Sequence, residues 1–471
     1  MDAAAAPSAA TRAIPPPLPL ARHVRETIAL ALPMIAARAG LILMLTVDTL
    51  MTGWAGGDEL AYLAVGIAPQ VTLMLVAIGA LQATAILTAQ AIGAGEGWRA
   101  GAVLRAALVL ACVLGVVLGL LTPLSEAMFL ALGQGEAVSA GAARVSTAFA
   151  FGLPGLLMYI VAGMFLEATG RPRVSMVIIL VANALNVPFN GLAVLGWGGA
   201  IAPMGAEGAV ITSSILRWLA FFAAYAAILR GARRGDLFGV AVPAASWAKA
   251  ILTFGGEAGV RLRRLGLPMG IGQGVESSAF TALVFLAGAL GATVVSAHQA
   301  TMTLITLVFM TAIGFGGAAA IRVGAAVGRG SARDVKRAGL VAVALGAIAV
   351  VPLGVVFAIW PEASARLITQ EAGVLAVAGP MLGLVAFFLP FDSANGVTAG
   401  ALRGMGEVWV PLMTQSAAFW FVAVPVAWWL AMPAGLGAIG LMIGMSAGMV
   451  CSSSMLIARF LVVSARPPRR A

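Results

Sequence analysis

Apolar residues fill long, nearly unbroken stretches of the chain, and polar residues collect in short clusters between them, as around Gly101–Leu121 and Leu340–Trp360. Runs of this length predict helices that cross a bilayer. About 20 mostly apolar residues cover the hydrocarbon core, and a helix satisfies its backbone groups internally where no water is at hand. A barrel would need alternating segments of about ten residues, and the runs here do not alternate. Cutting at charge clusters and at Gly/Pro breaks predicts twelve spans: 27–53, 60–92, 100–122, 138–166, 173–197, 205–230, 265–289, 294–326, 334–360, 374–402, 408–431 and 436–463. Several exceed the minimum length, which permits tilt or projection beyond the bilayer.

Composition explains what solvates such a chain. Only 10% of residues are charged, against about a quarter in soluble domains, and mean hydropathy is +1.03. Lipid must cover the exterior. The formal charge of +10 then reports orientation, not a nucleic-acid surface. With the N-terminus in the cytoplasm, 24 of the 28 Lys and Arg fall on the inner side, and Arg144 and Arg366 outside. Arg38 and Arg217 lie within spans. The chain is thus expected as a multi-pass protein of the cell's inner membrane with both termini cytoplasmic. Pro15, Pro16 and Pro17 ahead of Leu18–Arg25 do not form a cleaved signal and read as a tail, 1–26, leading to the first span. Cys112 and Cys451 sit in apolar runs and read as packing.

The sequence also resembles itself. Leu32-Pro33-Met34 recurs as Leu267-Pro268-Met269, and Gly93-Ala94-Gly95 as Gly328-Arg329-Gly330. Leu153-Pro154 recurs as Leu389-Pro390, and Ala162-Gly163 as Ala399-Gly400, at nearly the same offset. The expected architecture is an all-α integral membrane fold of two pseudo-symmetric six-helix lobes, 27–230 and 265–463. A basic connector, 231–264, joins them, and a basic tail, 464–471, follows. Six spans per lobe make the repeat parallel, with its axis along the membrane normal. Facing lobes of this kind suit alternating-access transport by a monomer.

Ionisable residues inside spans are functional candidates because lipid makes them costly. Asp48, Glu276 and Asp392 stand out, with Arg38 and Arg217 as counter-ions and Glu167 and Glu207 nearer the span ends. Glu276 has Gln273, Ser277 and Ser278 around it, and Asp392 has Ser393, Asn395 and Pro390. Carboxylate, hydroxyl and amide oxygens together with a carbonyl freed by proline form a ligand set for a hard cation such as Na⁺. A buried carboxylate can carry a proton instead. Asn183, Asn186 and Asn190 share one helix face, suited either to interhelical hydrogen bonds or to lining a cavity. His298 reads as a packing histidine.

Several of these positions resemble the multidrug and toxic compound extrusion (MATE) family, over roughly Leu32 to Phe460. The carriers in the first half are Leu32-Pro33, Val47-Asp48-Thr49 with Gly53, Gly93-Ala94-Gly95, Gly170-Arg171-Pro172, Asn186 and Asn190. In the second half they are Leu267-Pro268, Ala297-His298-Gln299, Ile321-Arg322-Val323-Gly324 and Leu402-Arg403-Gly404. With acids at 276 and 392 the match is to the NorM-type branch. The resemblance implies efflux of amphiphilic, often cationic compounds, coupled to Na⁺ or H⁺ without ATP or another cofactor. It implies cation binding at Glu276 and Asp392 in the second lobe, and cation or proton coupling at Asp48. Gln273, Asn395, Asn183, Asn186 and Arg38 are the further candidates for the cavity. Arg38 departs from the family, which usually keeps that position neutral.

Rival classes fit less well. A flippase for lipid-linked sugars shares the two-lobe plan but needs a cationic cavity for pyrophosphate. An intramembrane enzyme needs a catalytic cluster, and His23 and His298 are far apart in sequence.

Overall fold

The computed structural model describes residues 18–199 and 202–470, so most of the expected tail lies outside the described residues. All regular structure among them is helical. The first six long helices are α1 (Leu20–Ala55), α2 (Gly57–Gly93), α3 (Gly97–Ala131), α4 (Glu136–Ala168), α5 (Pro172–Ala193) and α6 (Gly205–Arg233). After a short connector helix, Ala244–Leu252, comes α7 (Gly256–Ala289). Then follow α8 (Ala292–Arg329), α9 (Ala332–Ile359), α10 (Ala372–Ala386 with Leu389–Gly404), α11 (Trp409–Ala431) and α12 (Gly437–Ser464). Ten are long and apolar enough to cross a membrane, and the two-part α10 makes an eleventh. The twelfth, α7, is 34 residues long, but Gln273, Glu276, Ser277 and Ser278 dilute its apolar character. The helix that falls short by composition carries Glu276, one of the three candidate acids.

Two features differ from expectation. The tenth span is not one straight helix: it breaks at Phe387–Phe388 and bends by 57°. Pro390 stands in the first turn of the second half and cannot donate to a carbonyl one turn back. In addition, α1 and α7 begin at Leu20 and Gly256, ahead of the expected span edges at 27 and 265. Their first turns carry charges and continue the helix out of the apolar layer. His23, expected in a tail, is therefore an α1 residue and fully buried.

Packing reproduces the internal repeat. Within the halves, α4 lies against α3 and α6, α1 against α5, α8 against α9 and α10, and α11 against α12. Between the halves, α1 meets α8 and α2 meets α7. The repeat maps α1 onto α7 and α2 onto α8, so these two contacts exchange under a pseudo-two-fold axis. The repeated glycines lie on that interface. A Cβ on Gly93 would strike the backbone of Ala325, and one on Gly328 the backbone of Gln90. Two helices can cross this closely only where neither has a side chain.

The lobes are joined at one end and apart at the other. One apolar cluster runs through both lobes at the end bearing the basic loops, from Leu81, Ile86 and Leu104 to Ile321, Val335 and Phe460. At the opposite end each lobe has its own cluster, around Leu63, Phe149 and Val210 in one and Leu283, Leu382 and Met445 in the other. Polar contacts fasten the joined end. Asp334 of α9 accepts from the Leu18 backbone N–H at 3.0 Å and lies 3.4 Å from His23 Nε2. Arg322 of α8 pairs with Glu26 and approaches His23 Nδ1 at 2.9 Å. From the other terminus, Arg470 pairs with Glu96 at 3.1 Å.

Candidate functional site

The first lobe encloses Asp48 in donors. Its Oδ1 accepts from Asn186 Nδ2 at 3.0 Å and Asn190 Nδ2 at 2.7 Å, and its Oδ2 accepts a short hydrogen bond from Ser213. One turn of α5 separates the two asparagines, so their amides reach the same carboxylate. Ser213 also accepts from Asn186 at 3.2 Å, closing the ring. The Arg217 guanidinium, 4.8 Å over the Phe149 ring, supplies the positive charge that acts on Asp48. Asn183 is engaged elsewhere: it donates to the carbonyls of Gly40 at 2.9 Å and Ile179 at 2.8 Å, tying α5 to α1.

Arg38 finds a partner in Glu167, at 3.8 Å. Glu167 lies near the end of its span but is only 3% exposed, so it is buried and not at the interface as expected. The pair borders a cavity of about 10 Å³ with Tyr159 and Ser175, room for a single water. Arg38 is thus neutralised inside the first lobe.

The second lobe is built differently. A cavity of about 300 Å³ opens among α7, α8, α10 and α12. Glu276 and Asp392 both line it, with His298, Gln299, Thr281 and Thr306 as its other polar groups. Phe280, Phe309, Met302, Met445 and Met449 supply apolar walls. Such a volume is at the lower bound of small-molecule pockets. Asp392 is 7% exposed, yet among the described residues neither acid receives a hydrogen bond of the kind that fills Asp48. The charge acting on Asp392 is that of Glu276, and the charge acting on Glu276 is that of Arg403. No group of three or more His, Cys, Asp and Glu is set to hold a metal among the described residues. Two carboxylates with neutral oxygens nearby suit a weakly held monovalent cation or a proton better than a tightly bound metal.

The remaining candidates fall outside this cavity. Asn395 accepts from Ser452 at 2.7 Å, joining α10 to α12. Gln273 faces the other lobe, with its Cβ 3.3 Å from where a side chain on Gly79 would begin. Conversely His298, read from sequence as packing, lies in the cavity with both acids, as does its neighbour Gln299. The Ala297-His298-Gln299 motif was a signal for them, but an apolar helix does not disclose which side faces the void.

Known proteins agree with this layout. The MatE family profile matches residues 33–192 and 268–429, one match in each half. A probable multidrug resistance protein NorM from Caulobacter vibrioides is 30% identical over 454 residues, covering 96% of this chain and 94% of the relative. The multidrug resistance protein NorM of Burkholderia vietnamiensis is 29% identical, covering 96% of this chain and 97% of that one. Among solved structures, the eukaryotic MATE transporter AtDTX14 superposes with a TM-score of 0.81 at 20% identity, covering 94% of this chain and 96% of that one. A MOP superfamily transporter from Pyrococcus furiosus gives 0.83 at 19% identity, with coverage of 94% and 96%. At these identities the superpositions speak for the fold: twelve helices in two lobes.

Proposed function

The chain belongs to the MatE family, and on that premise we propose that it exports amphiphilic, cationic organic compounds in exchange for Na⁺ or H⁺, by alternating access of its two lobes. It is a multi-pass membrane protein and a NorM-type multidrug efflux transporter, not an enzyme. The observation carrying the finer reading is the cavity in which Glu276 and Asp392 stand, without hydrogen-bond donors among the described residues, between methionine and phenylalanine walls. Acids attract a cation, and soft, adaptable walls accept varied shapes. The same acids oppose the anionic pyrophosphate of a lipid-linked sugar.

In this mechanism the joined end faces the cytoplasm, as the basic loops argue, and the separated end faces outward. An external cation enters the second lobe and binds at Glu276 and Asp392, which removes one negative charge from the pair and releases the cargo. Exchange requires that cargo and cation differ in affinity between states, since a ligand indifferent to them shifts nothing. Inward opening must then break the contacts of Glu26 and His23 with Arg322 and Asp334. Asp48, already filled with donors, serves as an accessory site. The protein acts as a monomer in the inner membrane with no cofactor beyond the coupling ion. The two moving units of this mechanism are the lobes proposed from sequence, 27–230 and 265–463.

Efflux of a cationic dye from cells expressing the variants at wild-type levels tests this reading. Asp392→Asn and Glu276→Gln are each expected to abolish efflux. Unimpaired efflux in both would sink the assignment. Imposing Na⁺ and pH gradients separately on proteoliposomes then identifies the ion.

A further inference from the structure

The transport reading leaves Gly170-Arg171-Pro172 unused, along with a group of arginines around it. Arg171 lies in the turn between α4 and α5, and its guanidinium abuts Gly231 in the last turn of α6. That turn carries Arg230 and Arg233, with Arg234 directly after it, and Arg173 follows Arg171. The turn joining two helices is thus pressed against the end of a third, and five arginines gather at one place. All five are exposed, and none of their side chains makes an ion pair or hydrogen bond among the described residues. The neighbouring acid is engaged: Asp236 accepts from the backbone N–H groups of Val240 at 2.9 Å and Ala241 at 2.8 Å.

Beside the arginines is an apolar surface that the fold does not cover. Arg171 borders a shallow cleft of about 30 Å³ whose walls include Phe165, Ile228 and Leu237. Leu237 is 75% exposed, and on the connector helix Ile251 and Leu252 are 61% and 86% exposed. Trp247 anchors that helix edge-on against Tyr225 of α6, ring centroids 6.3 Å apart. Aromatic pairs of this kind favour the headgroup layer of a membrane. A short helix with leucine and isoleucine outward and Lys249 in its last turn fits an interfacial position.

We propose that Arg171, Arg173, Arg230, Arg233 and Arg234, with this apolar surface, form a binding site for an anionic phospholipid on the inner leaflet. Arginine forks match phosphate oxygens in pairs, and clustered basic residues beside a membrane attract anionic headgroups. The exposed leucines and isoleucine decide for a lipid over a soluble phosphate, because they need an acyl layer to cover them. The cleft is too small for a whole chain, so the tail runs out past Leu237, which shares the cleft with Arg171, while the headgroup rests on the arginines. The site is independent of Glu276 and Asp392, and its test does not depend on transport.

Full-length protein purified in detergent is incubated with equimolar phosphatidylglycerol and phosphatidylcholine, and retained lipid is counted by native mass spectrometry. The wild type is expected to retain phosphatidylglycerol at least threefold over phosphatidylcholine. The triple variant Arg230→Gln/Arg233→Gln/Arg234→Gln is expected to bring that ratio near one. A control variant removes three charges at the same membrane face, Arg333→Gln/Lys336→Gln/Arg466→Gln, and is expected to keep the preference. Equal loss in the control, or no loss in the triple variant, overturns the proposal. So does displacement of the lipid by millimolar inorganic phosphate, which would make this a site for a soluble anion. Should the triple variant not remain monodisperse, Arg171→Gln, on an exposed turn, is expected to lower the ratio at least by half.

Discussion

Asp48 and Asp392 are both acids on intramembrane helices, and the two lobes treat them in opposite ways. Asp48 is given three neutral donors from two helices and a guanidinium. Asp392 has no donor among the described residues and feels the like charge of Glu276 across a cavity. A carboxylate has about four lone-pair positions, so three hydrogen bonds leave Asp48 little to offer a passing ion. Among the described residues no donor takes up the capacity of Asp392. The fold repeats, but the chemistry of the two halves does not: one acid is tied to neighbouring helices by hydrogen bonds, and the other lines a cavity. The two acids differ in hydrogen bonding and not in burial, and on the proposed mechanism that difference would separate structure from coupling.

The sharpest break is in stability. Asp48→Ala removes the carboxylate to which Asn186, Asn190 and Ser213 donate and the negative charge that acts on Arg217. Removing one partner of a buried charged pair costs about 3–5 kcal/mol, and a loss near 3 kcal/mol or more is expected on thermal unfolding in detergent. Asp392→Ala removes a group that has no donors and a like-charged neighbour. Without added cation its cost should stay within about 1 kcal/mol, a surface-like value. Equal losses in the two variants would end the distinction.

The second break reverses the ranking. A ligand at 100 times its dissociation constant stabilises the folded state by about 2.7 kcal/mol. Na⁺ titrated against choline at constant ionic strength, and H⁺ titrated by pH, are the two probes. Whichever of them raises the wild-type melting temperature, Asp392→Asn is expected to abolish the rise and Asp48→Asn to retain it from a lower baseline. A rise that survives Asp392→Asn places the cation elsewhere.

How much of this was legible in the sequence depends on what each feature leaves in it. The basic loops and the recurring Gly93 and Gly328 are written as charge and as an offset, so lobes, ends and pseudo-symmetry could be read. The three acids could be read because lipid makes any such residue conspicuous. What could not be read is which way a side chain points. A soluble helix announces its buried face by polar residues on the other; here core and lipid are both apolar, and the periodicity is erased. The sequence therefore does not show that His298 borders the cavity with both acids or that Gln273 faces the neighbouring lobe. Glu167 was judged by its distance from a span end, whereas its burial depends on Arg38 from another helix. The bend in α10 was partly foreshadowed by Pro390, but its angle depends on packing.

The smallest effect compares two serines. Ser213 donates to the Asp48 carboxylate and accepts from Asn186, whereas Ser452 donates to the neutral amide oxygen of Asn395. A hydrogen bond to a charged group contributes about 1.5–3 kcal/mol and one between neutral groups about 1 kcal/mol. Ser213→Ala is thus expected to cost about 2 kcal/mol and Ser452→Ala about 1 kcal/mol on unfolding. The informative measurement is the cation dependence of efflux in the same two variants. If Asn395, one turn beyond Asp392, only fastens α10 to α12, Ser452→Ala changes the half-saturating cation concentration by less than twofold. A larger change would mean that Asn395 holds Asp392 in place, and the donor-free acid would then depend on a support one turn away.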